Sequence, residues 1–229
     1  MSATPGRPGS PSDTAGTRGS TWLELVVLVV LSLAVVTGVK HFVAQAFYVP
    51  SSSMEPTLDV NDRILVEKLS STPYERGDVV VFADPGGWLT GDDVRVPSNV
   101  LTQGLELVGL YPTTGHLVKR VVAVGGDRVA CCDPLGRVTV NGQYVDEPYV
   151  VPGMPPSRVR FDSVVPPDHY WMLGDNRSDS ADSRFHLGDP GGGMVPESDV
   201  VGRVWRIVWP VSRFGRVDAP DVFAEVPSP

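Results

Sequence analysis

Leu117-Val118-Lys119-Arg120-Val121-Val122-Ala123-Val124 is a strongly β-branched run, closed by Gly125-Gly126-Asp127. Valine packs well on a pleated surface and loses rotamer freedom in a helix. A run of this length ending in a glycine turn therefore reads as a strand. Other apolar runs repeat the pattern on both sides, at residues 63–69, 77–82, 128–130, 137–140, 169–173 and 199–210. Asn141-Gly142 reads as a turn after one of them. The 22 Pro and 24 Gly favour turns and short strands over long helices. The expectation is a mainly β fold whose edges are handled by closure or by sheet packing. Residues 84–115 read as a long loop or insertion, and residues 148–168 as a Pro-rich irregular stretch.

The N-terminal part is different. Residues 1–20 are rich in Gly, Ser, Thr and Pro and bury too little to offset ordering, so they are expected to be disordered. Trp22 to Val39 is almost continuously apolar and near the roughly 20 residues that span a bilayer core. A cleaved leader would want a shorter apolar core followed by a small-x-small site, and a buried core helix is rarely apolar all round. A retained single-pass anchor is the reading. Arg7 and Arg18 favour a cytoplasmic N-terminus, although Lys40 on the other flank opposes them. The net charge of −8 and the lack of a Lys/Arg run argue against a nucleic-acid partner. The histidines and the adjacent Cys131 and Cys132 have no metal-ligand spacing, so neither metal nor cofactor is expected.

Three segments could carry chemistry. Pro50-Ser51-Ser52-Ser53-Met54-Glu55-Pro56-Thr57-Leu58 is a serine cluster framed by prolines, which by itself reads as a polar turn leaving the anchor. A serine needs a base to act as nucleophile, and no Gly-x-Ser-x-Gly elbow is present. A lysine can serve if burial keeps it neutral. The lysines are Lys40, Lys68 and Lys119, and Lys119 has the most apolar setting, although an edge-strand charge would look the same. Gly174-Asp175-Asn176-Arg177-Ser178-Asp179-Ser180-Ala181-Asp182-Ser183-Arg184 is dense in local hydrogen-bonding groups and in carboxylate–guanidinium pairs.

Taken in order behind the anchor, the serine cluster, Gly77-Asp78-Val79-Val80-Val81-Phe82, Lys119-Arg120-Val121-Val122 with Gly126-Asp127, and the 174–184 stretch resemble the four boxes of bacterial type I signal peptidases. The resemblance runs to about Trp209. It implies Ser53 as nucleophile and Lys119 as general base. It implies an oxyanion hole from the Ser51 hydroxyl and the Ser53 N–H, Ser180 as the group that orients the base, and a supporting pair of Asp182 and Arg184. It implies removal of signal peptides from exported preproteins after small residues at −3 and −1, with Val49, Met54, Leu58 and Val118 as pocket candidates. The implied fold is an antiparallel β-sheet catalytic domain with a smaller inserted β subdomain, behind one N-terminal transmembrane helix. On that basis the chain divides into a disordered cytoplasmic tail (1–20), a transmembrane helix (21–41), a catalytic core (42–127 and 170–215), an inserted subdomain (128–169) and a C-terminal tail (216–229). The implied setting is the cell membrane, with the catalytic domain extracytoplasmic, in contact with the lipid bilayer and close to the secretion translocon.

Departures stand out. The family usually has glycine between the first two serines of its motif, where this chain has Ser52. A serine there is costly at φ > 0, so an extended conformation is expected. The last box usually reads Asn-Arg-Asp-Asn-Ser, where Ser178 and Asp179 now fill the middle. Gly125 stands where Pro is common. Two other classes stay open: a self-cleaving Ser–Lys regulator of related fold, and an inactive membrane-tethered β-domain that binds a partner.

Overall fold

The computed structural model describes residues 18–42, 44–68, 73–89, 115–151 and 153–229. Most of the N-terminal tail and residues 90–114 of the expected insertion lie outside them. Residues Met1–His41 and Phe42–Pro229 form two compact units.

The helix α1 (Arg18–Phe42, 25 residues) lies in the first unit up to His41, its last residue being the first of the second unit. Its side chains described from Trp22 to Val35 are exposed. Among the described residues no helix is long and apolar enough to cross a membrane. The structure thus leaves the expected anchor from Trp22 to Val39 as a reading of the sequence alone.

The strands of the second unit are β1 (Ala44–Tyr48), β2 (Arg63–Glu67), β3 (Val79–Ala83), β4 (His116–Val124), β5 (Arg128–Cys131), β6 (Val138–Val140), β7 (Gln143–Tyr144), β8 (Phe161–Val164), β9 (His169–Leu173), β10 (Met194–Pro196), β11 (Val200–Trp209) and β12 (Gly215–Arg216). One sheet has the order β1-β2-β11-β3-β4-β9-β10, with β12 on β11; the other has the order β7-β6-β5-β8. Pairing is antiparallel throughout. The expected runs all carry strands, with ends moved by one or two residues. The strands not anticipated are short or flanked by proline: β1 continues the exit from the helix, and β8 lies in the stretch read as irregular.

Alternation assigns the faces of the large sheet to different cores. Val79 and Val81 of β3 pack with Phe47, Met54, Leu58, Ile64 and Val204. Val80 and Phe82 face the other way, into a cluster with Leu117, Val121, Tyr170 and Met172. On β9, Trp171 and Leu173 turn instead toward Val129, Val138, Val140 and Phe161 of the small sheet. Phe223 and Val226 join that third core, so part of the 216–229 segment is packed. Arg76 reinforces it by donating to Val226 O and Pro227 O while pairing with Asp127. Cys131 and Cys132 are joined to each other as a disulfide.

Candidate active site

The serine cluster lies on the loop between β1 and β2. Val49 N–H donates to Asp62 O and Asn61 N–H donates to Val49 O, each at 2.9 Å, so the loop is closed at its neck. Inside it, Glu55 N–H donates to Ser52 O and Leu58 N–H to Met54 O. Ser52 is absent from the positive-φ residues, so the backbone conformation that would have required glycine does not occur there.

Lys119 comes from the middle of β4. Its neighbours two residues away on the strand are Leu117 and Val121, its cross-strand partner is Val80, and all three are buried in one apolar cluster. Lys119 Nζ lies 2.7 Å from Ser53 Oγ and donates to it, and both residues are buried. Burial pushes the Lys119 ammonium down to about 8 from its usual 10.5. Asp182 and Asp175 oppose that shift, Arg184 adds to it, and Asp179 opposes it. Roughly a tenth of the amine is thus in its neutral, proton-accepting form at pH 7 and about half at pH 8, against under about 0.1% for an ordinary lysine at pH 7.

Ser51 Oγ is 3.3 Å from Ser53 Oγ. Ser180 Oγ donates to Asp182 Oδ2 at 2.8 Å; its hydroxyl proton is therefore engaged with the carboxylate and not with Lys119. Asp182 also accepts Gly174 N–H at 3.0 Å and a two-pronged contact from Arg184, Nε to Oδ1 at 2.7 Å and Nη2 to Oδ2 at 2.6 Å. Asp182 and Arg184 are fully enclosed, the setting in which a charge has to be paired. Gly174 is required by crowding: a Cβ there would lie 2.2 Å from Ser180 Oγ and 2.5 Å from Ser53 O.

A second buried pair stands next to the first. Arg120 clasps Asp175 through Nε at 2.9 Å and Nη2 at 2.6 Å, and donates through Nη1 to Gly77 O at 2.7 Å. Thr57 Oγ1 donates to Asp175 as well, which binds the end of the serine loop to this pair. Arg177 forms a third pair with Glu147, and the Tyr149 ring lies under the Arg120 guanidinium at 4.1 Å. Glu147 and Tyr149 carried no signal in the sequence, because nothing in their own neighbourhood indicates a partner 30 residues away.

The apolar candidates divide. Val49, Met54 and Leu58 are buried in one core cluster, and Val118 packs against that cluster while keeping some exposure. A cleft of about 750 Å³ lies elsewhere; it is lined by Tyr74, Val124, His169, Glu197 and Phe223 among others and includes none of the site residues above. No group of three potential metal ligands occurs among the described residues.

A buried amine on a serine hydroxyl, backed by a carboxylate–guanidinium pair, is an arrangement suited to acyl transfer. The family model for signal peptidase, peptidase S26, matches residues 22–209. Signal peptidase I of Mycobacterium tuberculosis is 40% identical over 225 residues, covering 86% of this chain and 76% of the relative. Probable signal peptidase I of Mycobacterium leprae is 37% identical over 228 residues, covering 85% and 78%. Probable signal peptidase I-2 of Synechocystis sp. is 37% identical over 198 residues, covering 86% and 77%. The chain belongs to the signal peptidase S26 family and is a serine endopeptidase.

Proposed function

We propose that this enzyme removes N-terminal signal peptides from exported preproteins through an acyl-enzyme, with Ser53 as nucleophile and Lys119 as general base. The observation that carries the reading is the 2.7 Å approach of Lys119 Nζ to Ser53 Oγ in a site that holds the amine near pKa 8.

Neutral Lys119 takes the Ser53 proton as Oγ bonds to the scissile carbonyl carbon. The tetrahedral intermediate collapses, the C–N bond breaks, and the proton passes from Lys119 to the leaving amine. Lys119 then deprotonates a water that attacks the acyl-enzyme, and Ser53 regains its proton as the bond to Oγ breaks. The Ser53 N–H and the Ser51 hydroxyl, which sits 3.3 Å from the nucleophile, stabilise the oxyanion; one such donor is worth about 3–4 kcal/mol. Ser180, held by Asp182, which Arg184 clasps in turn, orients the base from behind. Selection of small residues at −3 and −1 falls to Val118 and to the Val49, Met54 and Leu58 cluster that backs it.

The segment from Trp22 to Val39 anchors the enzyme in the cell membrane, with the N-terminus cytoplasmic and the catalytic unit outside, beside the secretion translocon. Exposed Trp205, Trp209, Val211 and Phe214 supply apolar and interfacial groups for contact with lipid. Holding enzyme and preprotein in one bilayer raises their effective concentration.

Ser53→Ala and Lys119→Ala are each expected to lower cleavage of a signal-peptide-bearing preprotein by at least about 10³-fold with the circular dichroism spectrum retained. Wild-type rates in either variant would remove the assignment.

A further inference from the structure

We propose that Ser52 and Asp179 form a latch across the site, which positions the nucleophile loop and holds a carboxylate at the rim of the Ser53–Lys119 pair. The latch rests on the catalytic reading above.

Ser52 and Asp179 are both departures from the family's usual boxes, one in place of glycine and the other in place of asparagine. They are 127 residues apart in the chain, and the Ser52 hydroxyl donates to Asp179 Oδ2. Glycine would have no hydroxyl to give, and asparagine no charge to hold. The bond does not stand alone. Asn176 Nδ2 donates to Ser52 O at 3.1 Å, and Asn176 N–H donates to Ser53 O at 3.1 Å. Asp179 N–H donates to Asn176 O at 3.0 Å, closing the turn that presents the carboxylate. Three contacts thus join the loop that carries Ser53 to the loop that leads into Ser180.

The latch also has an electrostatic side. The charged groups acting on Lys119 are Asp182, Asp175, Arg184 and Asp179. Asp182 is paired with Arg184, and Asp175 with Arg120. Asp179 takes its bond from a neutral hydroxyl, and no salt bridge to it occurs among the described residues. Its charge favours the ammonium form of Lys119 and so keeps the acid limb of activity higher than the apolar pocket alone would set it. Asp179 is exposed, so salt weakens this influence.

The two roles separate by substitution. Asn can still accept from Ser52 but carries no charge. Asp179→Asn is therefore expected to keep the plateau kcat while its acid limb in kcat/KM moves down by about 0.3 pH unit at low salt. High salt should move the wild-type limb toward that of the variant. Ser52→Ala breaks the bond, and kcat should fall about two- to fivefold with KM little changed. Asp179→Ala should lose both properties, and adding Ser52→Ala to it should lower kcat no further. An Asp179→Asn limb that coincides with wild type, or Ser52→Ala and Asp179→Ala losses that multiply, would overturn the latch. Wild-type rates in Ser53→Ala or Lys119→Ala would instead overturn the catalytic reading beneath it.

Discussion

Lys119 and Arg120 are consecutive residues of β4, both are buried cations, and they meet opposite fates. Lys119 points into the apolar cluster of Leu117, Val121 and Val80, and meets the hydroxyl of Ser53 rather than a carboxylate. Burial therefore wins and its pKa falls to about 8. Arg120 is on the other face of the strand. Burial would lower it too, but the hydrogen bonds and charge of Asp175 outweigh that and raise it. One residue of register decides between a reactive amine and a structural cation, because side chains alternate across a strand. The guanidinium fork suits the structural position, where Asp175 is gripped through two nitrogens, and the ammonium suits the chemical one, because lysine can be driven to neutrality and arginine cannot.

Arg120→Met should break the comparison most severely. It strands the Asp175 charge in a buried site, and a loss of about 3–5 kcal/mol is expected, read as a lower urea midpoint. Lys119→Met should do the opposite. Lowering a lysine pKa from 10.5 to about 8 costs the folded state on the order of 3 kcal/mol. The variant should lose activity and gain stability of that order at pH 7. Because the folded-state value is the lower one, the cost is fully present below about pH 8 and is relieved between pH 8 and 10.5. The gain should shrink over that window, and a variant less stable than wild type at pH 7 would contradict the account of Lys119. The mildest probe is pH itself. With a base near 8, kcat/KM should fall by about 50-fold between pH 8 and pH 6 as Lys119 takes up a proton. A profile flat to pH 5 would exclude lysine as the base.

The strand runs were legible because alternation and valine content are local properties. So were the serine cluster and the polar 174–184 stretch, as segments. Their convergence was not. Local pattern gave Lys119 the most apolar setting of the three lysines but could equally have made it an edge charge; the resemblance gave it the role of base, and the 2.7 Å approach to Ser53 depends on β3 pairing with β4 in one register. Ser180 was expected to orient the base; its hydroxyl donates to Asp182, a partner two residues away that local pattern did not single out, and its oxygen keeps the capacity to accept from an amine. The Arg177–Glu147 pair and the packing of Phe223 and Val226 were invisible because each depends on a partner remote in the chain. The burial of Val49, Met54 and Leu58 in one cluster was not legible either, since side chains that face a substrate and side chains that fill a core have the same composition.

The sheet order carries a consequence for biogenesis. β11, near the end of the chain, is inserted between β2, which follows the nucleophile loop, and β3, which pairs with the strand of the base. Ser53 and Lys119 are thus carried on opposite sides of a gap in the sheet that residues 200–209 fill. A nascent chain that has not yet delivered those residues has the serine and the lysine but no continuous sheet to register them. The protease is expected to switch on only once residues 200–209 have joined the sheet between β2 and β3.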